Sequence, residues 1–233
     1  MTHSSALPKY IQISEMLIRE ITAGHLPDGT RLPPERQMAD QHGISVGTLR
    51  KALGDLETKG LLHRIQGSGN YIKSQTVTES IYTFFRLELT QGGGLPTACV
   101  ISVDRLHKPA DLPFFGSSPD AHRIRRLRRL GGIPAAVEEI WLDGTFAKKI
   151  NAADLLESLY LFYKGHLGLI ISQVEDRIGV APVPNWAPAA LGMDHGSPAG
   201  FIERISWSQN GQPSEFSRTW YNHEKARYIN RLK

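Results

Sequence analysis

The chain has 233 residues, 40% of them hydrophobic and 21% charged, with a formal net charge of +4. That composition is globular, with room for one large or two ordinary cores, and no apolar run approaches the roughly 20 residues that cross a bilayer. The single cysteine, Cys99, excludes a disulfide framework, and the nine histidines show neither His-x3-His nor Cys-x2-Cys spacing, so no metal site and no cofactor are expected.

The opening residues MTHSSALPKY lack the basic start and apolar stretch of a secretory signal, which makes the cytoplasm the expected location and a membrane partner unexpected. From Tyr10 to Ala23 the residues Tyr10, Ile13, Leu17 and Ile21, with Ile18 beside them, recur at three- and four-residue steps. They form one apolar helix stripe, which Gly24 can close in a left-handed cap. Leu26-Pro27-Asp28-Gly29-Thr30 is turn chemistry. Pro33-Pro34-Glu35 then starts a short second helix through Met38 and Ala39 to Gly43, with proline in its first turn and an acid near its positive end. Ser45 is suited to N-cap a third helix, in which Leu49, Leu53 and Leu56 line one face and Gly60 supplies the exit. Three short helices with a tight turn between the second and third form a helix-turn-helix. Leu61 to Ile65 and Asn70 to Ile72 read as strands around Gln66-Gly67-Ser68-Gly69, a hairpin wing.

Residues 74–80 lose both apolar periodicities and are rich in Ser and Thr, so they read as a linker between a first domain, 1–73, and a second, 81–233. Beyond them strand-like runs (Ala98 to Leu106, Ile124 to Leu130, Ala135 to Leu142, Gly200 to Ser208, Ser214 to Asn222) alternate with helical segments near Ala152 to Tyr163 and Asn185 to Leu191. That pattern predicts an α+β domain built largely of antiparallel hairpins. In the arginine-rich run from His122 to Leu130, a period of two puts Ile124, Arg126, Arg128 and Leu130 on one face and Arg123, Arg125, Leu127 and Arg129 on the other. Two neighbouring guanidiniums form a fork for a carboxylate or phosphate. Glu138, on the strand returning after Gly131-Gly132-Ile133-Pro134, alternates with Ala136, Ile140 and Leu142 and can pair with them. A buried ion-pair network that only orders the sheet would use the same three residues.

The stretches Leu32-Pro33-Pro34-Glu35-Arg36-Gln37-Met38-Ala39, Val46-Gly47-Thr48-Leu49-Arg50-Lys51-Ala52-Leu53, Glu57-Thr58-Lys59-Gly60-Leu61-Leu62 and Gln66-Gly67-Ser68-Gly69-Asn70-Tyr71-Ile72 together resemble the GntR family of bacterial regulators. The remainder resembles the UTRA effector-sensing domain of the histidine-utilisation-repressor (HutC) subfamily, whose fold is similar to chorismate lyase. Its markers are Arg126-Leu127-Arg128, Pro134, Glu138, Ser158-Leu159-Tyr160, Leu191-Gly192, Asn210-Gly211-Gln212-Pro213, Glu215 and Tyr221. The resemblance implies a winged helix-turn-helix followed by a mixed antiparallel-sheet domain. It further implies a homodimer that binds double-stranded, palindromic operator DNA and a small anionic metabolite.

In a helix-turn-helix the second helix of the motif lies in the major groove with its N-terminal residues at the base edges, here Ser45, Gly47 and Thr48, followed by Arg50 and Lys51. Arg64, Gln66, Gly67, Ser68 and Gly69 of the wing suit close approach to the sugar-phosphate backbone or the minor groove, and Arg36 joins the DNA contacts by resemblance. Ser45 also suits a pure capping role, and Arg50 with Lys51 a solvated helix face. The chain departs from the family at Val46, where arginine is frequent, at Gly47, and in the wing, where a basic residue, threonine and phenylalanine are commoner. By resemblance Thr97, Ser158, Tyr160, Glu215 and Tyr221 join Arg126, Arg128 and Glu138 around the effector, although Tyr160 also suits an apolar core and Glu215 the surface. The expected function is repression of a catabolic or uptake operon, relieved by the anion. The alternatives are an effector-dependent activator and a lyase-like enzyme, and no catalytic residue is expected.

Overall fold

The computed structural model describes residues 2–3, 7–73 and 80–231; the linker expected at 74–80 lies outside the described residues apart from Ser80. The chain divides into two compact units, one comprising Leu7–Phe85 with Gly92–Leu95, the other the short N-terminal strand, Arg86–Gln91 and the chain from Pro96 onward. After a two-residue strand β1 (Thr2–His3), the helical unit runs α1 (Lys9–Ala23), α2 (Glu35–Gln41), α3 (Val46–Thr58), β2 (Leu62–Ile65) and β3 (Gly69–Ile72).

The apolar stripe of α1 is buried at Ile13, Leu17, Ile18 and Ile21. Gly24 ends the helix with φ 81, a left-handed conformation that glycine adopts without strain. Leu49, Ala52, Leu53 and Leu56 of α3 pack with Met38 and Ala39 of α2 and with Leu61, Leu62 and Ile72 in one core. Burial of each leucine is worth roughly 1.5–3 kcal/mol, which outweighs the roughly 1 kcal/mol that Gly54 costs in the helix interior. Lys59 closes the same unit: its ammonium reaches Asp55 at 2.7 Å and the buried Glu15 at 3.3 Å. Ser14 donates to Asp55 and Ser80 to Glu15. Burial works to lower the Lys59 pKa, but the Asp55 hydrogen bond and the charges of Glu15 and Asp55 outweigh it and raise the value.

The second unit contains β4 (Leu87–Leu89), β5 (Pro96–His107), β6 (Asp120–Leu130), β7 (Ile133–Asp143), α4 (Leu159–Phe162), β8 (Ile171–Pro182), β9 (Pro198–Ser208), β10 (Pro213–Tyr221) and β11 (Ala226–Tyr228). Seven strands form one sheet in the order β1-β5-β6-β7-β10-β9-β8, and β4 pairs with β11 apart from it. All its pairings are antiparallel, and directly opposed residues share a face. One face therefore carries Val100, Arg126, Glu138, Thr219 and Ile202 in one row, with Ser217, Arg204 and Asp176 in a neighbouring row. The opposite face holds Leu127, Val137 and Trp220, which pack with Val183, Ala187, Leu191 and Ala199. Among the described residues no helix is long and apolar enough to cross a membrane.

The α+β architecture holds, and the five strand-like runs fall on β5, β6, β7, β9 and β10, the last overrunning β10 by one residue at Asn222. The two helical expectations need correction. Between Ala152 and Tyr163 there is only a 3-10 turn, Ala152–Asp154, and the single turn of α4, extended by a π-helical turn Tyr163–Leu167. Leu155 and Ser158 are extended, which turns the Glu157 carbonyl toward the arginines of β6. Near Asn185 to Leu191 only Ala189–Leu191 is helical, as a 3-10 turn. Pro184 and Pro188 lack the N–H that a helix needs and disfavour helical conformation in the residue before them.

Candidate nucleic-acid interface and effector site

In the helical unit the expected DNA-contacting residues are exposed or half-buried. Ser45 caps α3, its Oγ accepting the Thr48 N–H at 3.1 Å while the two hydroxyls pair at 2.9 Å. A Cβ at Gly47 would meet only Ser45 Oγ, at 3.8 Å. The backbone therefore does not require glycine at this position; what glycine supplies is a bare surface on the first turn. Arg50 Nε donates to Glu35 at 2.7 Å, Arg64 pairs with Glu57 at 3.0 Å, and Arg64 Nη2 reaches the Arg50 carbonyl at 3.5 Å. Exposed pairs of this kind are worth about 0–1 kcal/mol, so exchanging a carboxylate for a phosphate costs little.

The wing turns through Gly67 and Gly69, at φ 75 and 139. Arg31, which the sequence reading did not single out, donates Nη2 to the Ser68 carbonyl at 2.5 Å and bridges by its backbone to Tyr71. It fixes the wing against the entry to α2, and between them opens a cleft of ≈ 600 Å³ lined by Pro33, Pro34 and Glu35 on one side and Arg64 to Asn70 on the other. Arg50, Arg64 and the wing thus come together, while Arg36 and Lys51 are exposed on α2 and α3.

In the sheet unit, Arg126 and Arg128 point from β6 onto the face that also carries Glu138. Arg126 Nη2 donates to Glu138 Oε2 at 2.7 Å and Arg128 Nε to Oε1 at 2.9 Å. Each guanidinium also gives Nη1 to the Glu157 carbonyl, at 3.3 and 3.0 Å. The three side chains are buried. Burial and the neighbouring Arg128 lower the Arg126 pKa. Burial alone would raise that of Glu138, but the Arg128 and Arg126 charges hold it below the usual carboxylate range. Arg126 Nε is buried without a hydrogen-bond partner among the described residues, so the fork retains one unanswered donor.

Further along the same face lies a second buried polar group. Glu215 accepts from the Tyr163 hydroxyl at 2.6 Å, from Ser206 at 3.1 Å and from Tyr160 at 3.2 Å. Burial pushes the Glu215 pKa up despite these donors, and burial together with Glu215 raises Tyr160 and Tyr163. Beside them Arg204 grips Asp176 with two bonds, at 2.5 and 2.7 Å. Ser158 caps α4, accepting the Leu161 N–H at 3.4 Å, next to the carbonyl that the arginines hold. The Tyr221 ring lies against Gly200, where any Cβ would strike it.

Arg126, Arg128, Glu138, Ser158, Tyr160, Glu215 and Tyr221 are therefore distributed over one face and the segment covering it. Thr97 is the exception: it pairs with Arg129 while Ala98 pairs with Arg128, which puts it on the opposite face. Tyr163, Ser206, Arg204, Asp176 and the Glu157 carbonyl were not anticipated, because they reach the site only through strand register or through the break before α4.

A winged helix-turn-helix followed by this sheet domain defines a DNA-binding transcription regulator. Residues 9–72 match the model of the bacterial regulatory proteins of the gntR family and residues 92–227 that of the UTRA domain. The chain belongs to the GntR family and carries a UTRA domain; it is a regulator and not an enzyme, which removes the lyase-like alternative. It is 54% identical over 234 residues, 100% of both chains, to the HTH-type transcriptional regulator SmoD of Agrobacterium fabrum. It is 27% identical over 230 residues to the HTH-type transcriptional repressor NagR of Bacillus subtilis, covering 97% of this chain and 95% of that one. Its fold is shared with the crystal structure of the regulator YydK from Bacillus subtilis, with a TM-score of 0.51 at 23% identity, covering 97% of this chain and 100% of the other.

Proposed function

We propose that the chain is a cytoplasmic homodimeric repressor of a catabolic or uptake operon, which leaves a palindromic operator when a small anionic metabolite enters the sheet domain. In this reading residues 1–73 hold the DNA, 74–80 link, and 81–233 bind the effector and the second copy. Ser45, Gly47, Thr48, Arg50 and Lys51 meet the major groove, while Arg36, Arg64, Gln66, Gly67, Ser68 and Gly69 meet the backbone. The repressor sense follows the name of NagR.

The observation that carries the effector reading is the arginine pair: two buried guanidiniums side by side, sharing one carboxylate and one carbonyl, with a donor left over. An entering anion competes with Glu138 and with the Glu157 carbonyl for the same N–H groups. Glu157 immediately precedes Ser158, the cap of α4, so displacing its carbonyl acts directly on the start of that helix. Glu215, Ser158, Tyr160 and Tyr221 supply acceptors and walls for the rest of the ligand. Such a ligand regulates only by binding two states of the dimer with different affinity.

The test begins by selecting duplexes from a randomised pool and following their binding by fluorescence anisotropy against a panel of sugar phosphates, phosphonates and carboxylates. Arg128→Ala is expected to bind the selected duplex like the wild type and to lose the response. Release of Arg128→Ala by the anion that releases the wild type, at the same concentration, rejects the pocket.

A further inference from the structure

We propose that the face of the sheet turned away from the arginine fork carries a second ligand site, a groove at the end of β5 that takes a small carboxylate with an apolar body. The site is independent of the effector reading and lies back to back with the fork, since Arg125 and Glu139 adjoin Arg126 and Glu138 on the same two strands.

The register places Asp104, Arg123 and Trp141 in one row of this face, with Arg125, Glu139 and Arg218 in the next. Over them the end of β5 and the segment after it leave a groove of ≈ 500 Å³, a volume within the roughly 300–1,000 Å³ of small-molecule sites. Three arginines line it against two carboxylates, Asp111 and Glu139, so cations outnumber acids.

These cations are not equally answered. Arg125 places Nε and Nη2 on one Glu139 oxygen at 2.7 and 2.6 Å and lies over the Trp186 ring, while the other oxygen takes the Trp141 indole N–H at 3.0 Å. That group is closed and needs nothing more than the sheet. Arg218 differs. Its Nη1 donates to the Asp111 carboxylate at 2.9 Å and its Nη2 to the Asp111 carbonyl at 3.4 Å, but the Asp111 side chain is 63% exposed, and Glu203 stands 3.5 Å from Nε. Arg123 gives Nη2 to Asp104 at 2.9 Å, while its Nε is buried without a hydrogen-bond partner among the described residues.

The groove thus offers one guanidinium held by a replaceable carboxylate and one donor with nothing on it. The Asp111 carboxylate marks where a ligand carboxylate sits: an exposed ion pair contributes little to stability, and a planar guanidinium receives either carboxylate in the same geometry. The ligand body is apolar because Leu106, Pro109 and Leu112 form the adjoining wall, and Leu106 is left 37% exposed, an apolar surface that gains by being covered. An oxygen on that body answers the Arg123 Nε.

The experiment is calorimetric titration of the full chain at pH 7 with benzoate and hexanoate, and with benzamide as the uncharged counterpart of benzoate, near-UV circular dichroism confirming native packing of each variant. The carboxylates are expected to bind and benzamide is not. Asp111→Ala, which frees Arg218 by a change at an exposed position, should tighten binding by up to about fivefold. Arg218→Gln should weaken it by roughly tenfold or more. Failure of both carboxylates to bind the wild type and Asp111→Ala overturns the site. Equal binding of benzamide overturns it too, as does binding that survives Arg218→Gln but is lost in Arg128→Ala, which moves the carboxylate to the fork.

Discussion

Replacing Glu138 by glutamine tests whether the arginine pair is an anion fork or only a tie within the sheet. Glutamine keeps the shape of the side chain and one carbonyl acceptor, but removes the charge and turns an amide donor toward one of the two guanidiniums. In the wild type the carboxylate takes one bond from each arginine, at 2.7 and 2.9 Å, in a setting where it is only 7% exposed. Hydrogen bonds to a charged group are worth about 1.5–3 kcal/mol each, and breaking a buried ion pair costs about 3–5 kcal/mol. Because the Glu157 carbonyl stays in place, the expected loss is about 3–5 kcal/mol rather than twice that. Urea unfolding followed by tryptophan fluorescence reads it, through Trp141 on β7 and Trp220 on β10. The same titration in inorganic phosphate separates the two readings. An anion that binds the native state stabilises it by mass action, and in Glu138→Gln it supplies the missing counter-charge, so the variant should gain more from phosphate than the wild type does. A loss below about 1 kcal/mol would refute the burial argument. A larger phosphate gain in the wild type would refute the fork.

Arg50→Ala should weaken binding to a selected duplex by about 1–3 kcal/mol and binding to a random one by less, if Arg50 reads a base; equal losses on both by anisotropy would move it to a phosphate. Folding stability should change by less than about 1 kcal/mol, since the lost Glu35 pair is exposed. Gly54→Ala should stabilise the protein by about 0.5–1 kcal/mol in thermal or urea unfolding, because a Cβ there meets nothing within 4 Å and alanine is the better helix former; a destabilised variant would show that the helix needs glycine for another reason. Glu215→Gln tests the buried acid by its pH dependence. The folded-state pKa of Glu215 is raised above the ordinary 4.5 by burial, so its stabilising contribution is complete below 4.5 and fades as pH rises through the raised value. The variant, which has no proton to lose, should lack this slope in urea midpoints measured upward from pH 4.5, and parallel curves for the two proteins would remove Glu215 as its source.

The helix-turn-helix was legible because everything that specifies it is local: leucines four and three apart in α3, a serine at its start, and glycines after α1 and α3. Arg126, Arg128 and Glu138 were legible for a similar reason, since alternation along one strand fixes the pair and a single hairpin brings the glutamate opposite. Glu215 came from the resemblance alone; Ser206, which reaches it, needed the β9–β10 register, which shifts by a bulge between Pro213 and Glu215, and Asp176 needed β8, whose exposed mixture of charges and apolar residues has no clean period. Thr97 shows how narrow the margin is. One residue of phase along β5 separates it from Ala98, and one residue decides the face. The Glu157 carbonyl was beyond sequence reasoning altogether, because a backbone atom has no residue type and its surroundings, Ala152 to Tyr163, have the composition of a helix. There the tertiary demand of two buried guanidiniums for an acceptor overrides local propensity.

The two sites hold their arginines in opposite ways, and the difference bears on selectivity. Arg50 and Arg64 are paired with carboxylates in the open, where a phosphate can replace Glu35 or Glu57 at a cost near zero and where salt screens either partner alike. Arg126 and Arg128 are paired out of water. A neutral ligand that displaced Glu138 would leave both guanidiniums uncompensated, a penalty of about 3–5 kcal/mol that corresponds to roughly a hundredfold to several thousandfold in affinity. An anion of the right span brings the replacement charge with it and avoids the penalty. In the proposed reading, burial of the fork discriminates against uncharged metabolites without any contact to the rest of the ligand, and Tyr160, Ser206 and Glu215 are left to distinguish one anion from another.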